Sequence, residues 1–207
     1  HGGDAQGGAN RNAWVTGWLD WTQSTDNTNT LFLTDPKYAK LAPYSGGSKN
    51  SYKCPADRFI SPVQRLKGWS ARARSISMNA NMGDGNKEFA DYRLFKKMAD
   101  IIDPSPSMAW VVVDEQPDSM NDACLFSAMG SGATQWGDLP ANYHNGACGY
   151  SFADGHSEIK SWRGANMRAK KIEYKDYAGL TPVKLTTVAD KNDHQWHQDR
   201  TTSLKPK

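Results

Sequence analysis

Two histidines and one aspartate around an Asp-Gly pair are the residues whose types could support metal chemistry. His144 and His156 flank the segment, and Asp154 lies between them. Imidazole nitrogens and a carboxylate oxygen are common ligands of a hydrolytic metal ion. A hydrolase would need the three side chains to converge, but Asp154 is needed for a turn and no general base stands at a defined spacing. We therefore expect His144 to fix the shape of its loop by hydrogen bonding.

The acidic segment 114–122 is a second candidate site. It holds four carboxylates and one asparagine within nine residues. Calcium takes about six to eight oxygen ligands, so one loop of this composition could supply most of them. Asp118 and Asp122 are the predicted calcium ligands, with Asp114, Ser119 and Asn121 as weaker candidates. The alternative is a polar connection between strands, in which Asp and Ser side chains cap turns.

The eight tryptophans of the chain allow a different function, a secreted carbohydrate-binding module. Exposed tryptophan rings can stack on sugars, and Trp18, Trp21 and Trp136 lie in segments that resemble loops. The alternative is that these rings cover a small core. We favour the core interpretation.

Composition limits the remaining functions. The 207 residues are 38% hydrophobic and carry a formal charge of only +3, with a mean hydropathy of −0.74. Scattered basic residues do not predict a nucleic-acid partner. No stretch is apolar enough to span a bilayer, and residue 1 is His, so we expect a mature or truncated product.

The organisation expected is one domain over residues 1–207, in the α+β class. Residues 1–13 are predicted to be a flexible start, and residues 163–207 an extended C-terminal tail in which His194, Trp196 and His197 dock on the domain. Strands are predicted at 73–79, 108–113 and 123–128, followed by a hairpin. Because strands follow one another, an antiparallel meander with short helices and long loops is favoured over βαβ units. Helices are predicted at 28–33, from Asp35-Pro36 onwards and at 89–102.

The hairpin is the most specific local prediction. Asp154-Gly155 suits a two-residue type I′ turn, which needs positive φ at both positions. The strands would be 147–153 and 156–162. That turn places Tyr150 opposite Ile159 and Phe152 opposite Ser157, so Tyr150, Phe152 and Ile159 share a buried face.

His144 followed by nine residues and Asp154-Gly155 also resembles a family signature, the "H-X9-DG" domain of prepilin-type proteins, which are similar to type II secretion pseudopilins. Further phrases in the same order strengthen the resemblance. They are Gly17-Trp18-Leu19-Asp20, Tyr52-Lys53-Cys54-Pro55-Ala56-Asp57, Arg74-Ser75-Ile76-Ser77-Met78-Asn79, Asp103-Pro104-Ser105-Pro106-Ser107 and Val113-Asp114-Glu115.

The resemblance implies a pilin-like fold, in which an N-terminal helix packs on an antiparallel sheet and most of that helix is absent from this chain. It implies a structural, non-enzymatic subunit, the extracytoplasmic head of a pseudopilin. Its partners would be like subunits or secretion-system proteins, and it would contact a membrane only through the missing helix. Some secretion pseudopilins also have a calcium-binding loop beside the sheet, which adds to the calcium prediction.

The extracytoplasmic location implied by the resemblance bears on the state of the three cysteines. Outside the cytoplasm disulfides persist, and Cys124 and Cys148 both lie in predicted strands, so they are the candidate pair. Cys54 would be left over. The alternative is that all three are small buried hydrophobic residues.

Overall fold

The structure is a computed structural model and describes residues 13–83 and 91–206. Over these ranges the fold is α+β, with one five-stranded sheet and a few short helices. The predicted fold class is thus confirmed at this level. None of the helices in these ranges combines the length and apolar character that a membrane crossing requires.

The five strands form one mixed sheet in the order β3-β1-β2-β4-β5. They are β1 (Ile76–Asn79), β2 (Trp110–Asp114), β3 (Cys124–Leu125), β4 (Ala147–Phe152) and β5 (Ser157–Ser161). The β1–β2, β2–β4 and β4–β5 pairs are antiparallel, but β1 and β3 are parallel. The predicted all-antiparallel meander is therefore wrong at one pair.

Chain geometry explains the parallel pair. Asp114 ends β2 opposite Ile76, where β1 begins. A strand that turns back antiparallel to β2 from this point runs in the same direction as β1. The chain takes this route but places β3 on the outer side of β1, so that Met78 pairs with Cys124.

Short helices connect the strands. They are α1 (Leu31–Thr34), α2 (Pro62–Leu66), α3 (Ala165–Arg168) and α4 (Val188–Gln198), together with single 3₁₀ turns at Thr25–Asn27, Ala42–Tyr44, Lys49–Tyr52, Met98–Asp100 and Tyr177–Gly179. The helix predicted at 28–33 is confirmed only at residues 31–33, because α1 begins at Leu31. The helix predicted from Asp35 is wrong, since residues 35–41 form turns. The Asp35 carboxylate begins the first turn by accepting a hydrogen bond from the Lys37 N–H at 2.8 Å. Part of the helix predicted at 89–102 lies outside the described residues, and residues 91–102 contain only the 3₁₀ turn.

The β4–β5 hairpin has a three-residue loop instead of the predicted two-residue turn. The Phe152 N–H donates to the His156 carbonyl at 2.9 Å, and the Gly155 N–H donates to the Phe152 carbonyl at 3.0 Å. Gly155 has a positive φ of 94° whereas Asp154 does not. The loop is therefore a type I turn followed by a left-handed glycine, and the type I′ prediction is wrong.

The longer loop shifts the strand pairing by one residue. Tyr150 lies opposite Glu158, and Gly149 lies opposite Ile159. A shift of one residue moves every side chain of a strand to the other face. Ile159 is consequently 62% exposed instead of buried beside Tyr150. The predicted common face of Tyr150 and Phe152 is confirmed, since both rings are buried.

An aromatic core covers that face of the sheet. Its buried members include Trp110, Tyr150, Phe152, Trp136 and Trp162. Several pack edge to face, as Trp136 does against Trp162 with ring centroids 5.4 Å apart. These large rings supply the apolar area that a chain of low hydropathy otherwise lacks.

A second cluster packs beside the opposite face. Trp14, Val15 and Leu33 from the N-terminal part contact the region of Met78 and Ala109. The Trp14 indole N–H also donates to the Ala123 carbonyl at 2.9 Å, which attaches the N-terminal segment next to β3. Residues 1–12 of the predicted flexible start lie outside the described residues. Ala13 is described and is buried, so it does not belong to such a start.

The C-terminal segment is not the extended tail that was predicted. It contains α3 and the eleven-residue helix α4. Thr187 and Asp190 form a capping box at the start of α4, with the Thr187 hydroxyl accepting from the Asp190 N–H at 3.1 Å. His194 and His197 of α4 are buried against the aromatic core.

Candidate functional site

Three side chains from distant parts of the sequence meet beside β4. The Nε2 atom of His144 lies 3.0 Å from Asp114 Oδ2 and 3.4 Å from Cys54 Sγ. All three ligand atoms lie within 4.8 Å of one another. In residues 13–83 and 91–206, this is the one group of three or more His, Cys, Asp or Glu side chains that satisfies that distance.

Each member is held by backbone structure. Cys54 follows the 3₁₀ turn Lys49–Tyr52, and its N–H donates to the Ser75 hydroxyl at 2.6 Å. Asp114 is the last residue of β2. His144 lies in the tight loop before β4, where its N–H donates to the Ala147 carbonyl at 3.3 Å. This contact is made by the backbone, whereas the His144 side chain faces Asp114 and Cys54, so its predicted hydrogen bonding to the loop backbone stays a prediction.

The left-handed backbone of the next residues shapes the same loop. Asn145 has a φ of 55° and Gly146 a φ of 79°. Asparagine and glycine are the residues that adopt this conformation at least cost. The chain changes direction at Asn145 and Gly146, and the imidazole of His144 contacts Asp114 at the end of β2.

Burial controls the protonation of the cluster. It raises the pKa of the Asp114 carboxyl, while the hydrogen bond and charge of His144 oppose that shift. Burial also raises the pKa of the Cys54 thiol, and the negative charge of Asp114 adds to the effect. Without a cation, Cys54 is therefore a neutral thiol and a poor nucleophile.

The cluster does not have the geometry of a thiol-based catalytic triad. In such a triad one imidazole nitrogen faces the nucleophile and the other faces the carboxylate. Here Nε2 faces both Cys54 and Asp114. A proton relay from thiol to carboxylate through the ring is thus absent from this arrangement.

The metal-hydrolase set predicted from sequence is not assembled. His156 pairs with Asp154, with Nδ1 and Oδ1 2.6 Å apart. His144 instead contacts Asp114 and Cys54, and the three hairpin residues do not form a group within ligand distance. Asp154 and Gly155 occupy the hairpin loop, where the Asp154 carboxylate also accepts from the His156 N–H.

The acidic segment uses its oxygens in internal hydrogen bonds. Asp118 accepts from the Trp21 indole at 2.8 Å and from the Glu173 N–H at 2.7 Å. The Ser119 hydroxyl donates to Glu115 at 2.9 Å. Asp122 and Asn121 accept from the N–H groups of Cys124 and Asp122, respectively. Calcium binding at this loop stays a prediction, and any ion would compete with these contacts.

The three tryptophans proposed for sugar stacking are differently placed. Trp21 is 5% exposed and Trp136 is 3% exposed, whereas Trp18 is half-buried. Arg72 also packs on the Trp21 ring, 3.9 Å from its centroid. A sugar could therefore reach only one of the three rings, which argues against the carbohydrate-binding alternative.

The predicted Cys124–Cys148 disulfide is not formed, since Cys54, Cys124 and Cys148 are all free thiols. Cys124 lies on β3 and Cys148 on β4, and β1 and β2 separate these strands in the sheet. Three strand spacings amount to about 14 Å, twice the longest Cα separation that a disulfide spans.

Comparisons of the chain with protein-family models, with curated proteins and with solved structures find no match. The family resemblance of the sequence phrases therefore stays a prediction. Function has to be argued from the geometry of the molecule.

Sequence reasoning named two members of the cluster but not its composition. His144 was singled out for its spacing to Asp154-Gly155, and Asp114 as a weak calcium ligand. The sequence predictions place Cys54 in the phrase Tyr52-Lys53-Cys54-Pro55-Ala56-Asp57 and leave it over from the disulfide pair, but they assign it no ligand role. Ninety positions separate Cys54 from His144, so no local spacing pattern connects them.

Proposed function

We propose that this chain is the extracytoplasmic head of a pilin-like protein, a structural subunit that acts by assembling with like subunits or secretion-system proteins. The observation that carries the proposal is the meeting of three family-like phrases at one place. Cys54, Asp114 and His144 come from three of those phrases and contact one another. Such a convergence is expected if the phrases mark one structural unit.

The open side of the sheet supports assembly as the activity. β5 is an edge strand of the sheet. Beside it, Ile76, Val112 and Ile159 line an open groove of about 420 Å³. The other face of the sheet is filled by the aromatic core, whereas this groove leaves apolar side chains open to another subunit. Exposed strand edges and apolar patches are the surfaces through which β-proteins associate.

A non-catalytic role agrees with the chemistry of the cluster of Cys54, Asp114 and His144. Its histidine faces both partners through a single nitrogen, and its thiol has a raised pKa. Neither property suits nucleophilic catalysis. We therefore propose that the cluster stabilises the fold and that the surface around β5 performs the function.

Site-specific photocrosslinking in cells that express the full-length protein tests the assembly proposal. A photoreactive residue in place of Ile159 should give adducts with a second copy or with another pilin-like protein. The same residue in place of Leu66, which is 85% exposed on α2, is the matched control and should give none. Equal adduct yields at both positions, or no adduct at Ile159, would contradict the proposed surface.

A further inference from the structure

The ligand atoms of Cys54, Asp114 and His144 all lie within 4.8 Å of one another. Ligand atoms of one tetrahedral zinc ion, at bond lengths of about 2.0 to 2.3 Å, lie roughly 3.3 to 3.8 Å apart. The separations of His144 Nε2 from Cys54 Sγ and from Asp114 Oδ2 are 3.4 Å and 3.0 Å. The third separation, between Cys54 Sγ and the Asp114 carboxylate, is within 4.8 Å, so side-chain shifts of about 1 Å or less bring all three atoms to the separations of zinc ligands.

A cation also explains why one nitrogen faces two partners. A neutral imidazole nitrogen is either a donor or an acceptor, and it directs that capacity along one line. The nitrogen of His144 therefore satisfies only one of its two neighbours by hydrogen bonding. A metal ion between the three atoms would bind all of them at once.

We propose that Cys54, Asp114 and His144 bind one Zn²⁺ ion. Thiolate, imidazole and carboxylate together match zinc, whereas calcium and magnesium select sites made of oxygen alone. The ion replaces the thiol proton of Cys54, which is released to solvent. The His144 side chain is 28% exposed, so solvent can supply the fourth ligand.

The surroundings of Asp114 orient its carboxylate for this role. The Gly149 N–H donates to Asp114 Oδ2 at 3.2 Å. A Cβ atom at position 149 would lie only 2.7 Å from that same oxygen. Hydrogen bonds of this kind to a ligating carboxylate are typical of metal sites. The site joins the segment at Cys54, the end of β2 and the loop before β4, and it does not depend on the assembly proposed above.

Thiol protection in the wild-type full chain is the first test. The chain is treated with iodoacetamide in the presence of Zn²⁺ or of a chelator, and each cysteine is followed by peptide mapping. When free Zn²⁺ is about ten times its dissociation constant, alkylation of Cys54 should slow about tenfold by mass action. The rate at Cys124 should not change. Equal rates at Cys54 with zinc and with chelator, or equal protection by Ca²⁺, would overturn the proposal.

Calorimetric titration of variants is the second test. The wild type should bind one Zn²⁺ per chain, and Cys54→Ser and His144→Gln should each weaken binding about tenfold or more. His156→Gln is the matched control, because His156 is an exposed histidine outside the cluster, and it should bind zinc like the wild type. Circular dichroism confirms that each variant is folded. Zinc affinity unchanged by Cys54→Ser, or lowered equally by His156→Gln, would overturn the site.

Discussion

Gly149 lies so close to the Asp114 carboxylate that any side chain at this position has to displace it. The ideal Cβ position is 2.7 Å from Asp114 Oδ2, although the backbone of Gly149 does not require positive φ. A larger residue at position 149 is therefore opposed by steric contact with Asp114 and not by the backbone conformation. Small residues next to a buried carboxylate keep both the space and the N–H donor that the carboxylate needs.

We predict that Gly149→Ala displaces Asp114 and lowers the free energy of unfolding by about 1 to 3 kcal/mol, the usual cost of overpacking. Urea denaturation measures the loss. Gly132→Ala is the matched control, because nothing lies within 4 Å of a Cβ atom there, and its stability should stay within about 0.5 kcal/mol of the wild type. Wild-type stability of Gly149→Ala would show that the Asp114 carboxylate is not confined.

Helix α4 is attached to the sheet by polar contacts. Asp193 of α4 is buried and accepts from Lys160 Nζ at 2.8 Å. Its other oxygen accepts from the N–H groups of Arg163 and Gly164, at 2.6 Å and 2.7 Å. One carboxylate thus joins α4 to β5 and to the chain that follows it.

Asp193→Ala should therefore destabilise the protein by about 3 kcal/mol or more, because it leaves a partly buried ammonium and two N–H groups without their acceptor. The change in unfolding free energy is measured by chemical denaturation. Asp199→Ala is the matched control, since the exposed Asp199 accepts one side-chain hydrogen bond, from Gln195. If both variants lose the same small amount, the attachment of α4 does not depend on Asp193.

The same helix shows what sequence patterns miss. The buried residues of α4 are polar or charged, among them Asp193, His194 and His197, so no apolar period of 3.6 residues appears. The signal that did exist was the capping pair Thr187 and Asp190, a Thr followed three residues later by an acid. Strands β2 and β4 are predictable because most of their buried residues are apolar or aromatic, such as Trp110, Tyr150 and Phe152.

Long-range arrangement limits prediction for the molecule as a whole. The α+β class and the common face of Tyr150 and Phe152 follow from local alternation of residue types. The parallel β1–β3 pair and the contact of Cys54 with His144 join residues that are far apart in the sequence. Local patterns of residue types do not encode such contacts. The predicted pairing of the hairpin strands is wrong by one residue, because Asp154-Gly155 suits both a two-residue and a three-residue loop.

Titration of buried groups should set the pH range in which the whole molecule is stable. Glu115 is buried, and burial raises its pKa to about 7. Because the folded state holds this proton more tightly than the unfolded chain does, this group's contribution to stability falls as pH rises from about 4.5 to 7. His197 acts in the opposite direction, since burial, with a smaller effect of His194, lowers its pKa to about 3.

The contribution of His197 can be isolated by substitution. It is fully buried, with Nε2 2.7 Å from the Ser127 hydroxyl and Nδ1 3.0 Å from the Tyr150 hydroxyl. Below an unfolded pKa of about 6.5 the unfolded chain binds a proton that the folded state excludes, so stability should fall by about 1.4 kcal/mol per pH unit. The stability of His197→Gln should lack this slope, so the difference in unfolding free energy between wild type and variant should change by about 1.4 kcal/mol per pH unit between pH 6.5 and 4.5, as measured by urea denaturation at each pH. His156→Gln, at an exposed histidine, should keep the wild-type slope. Parallel stability curves for His197→Gln and the wild type would mean that His197 is protonated in the folded core, which its two hydroxyl partners and its burial oppose.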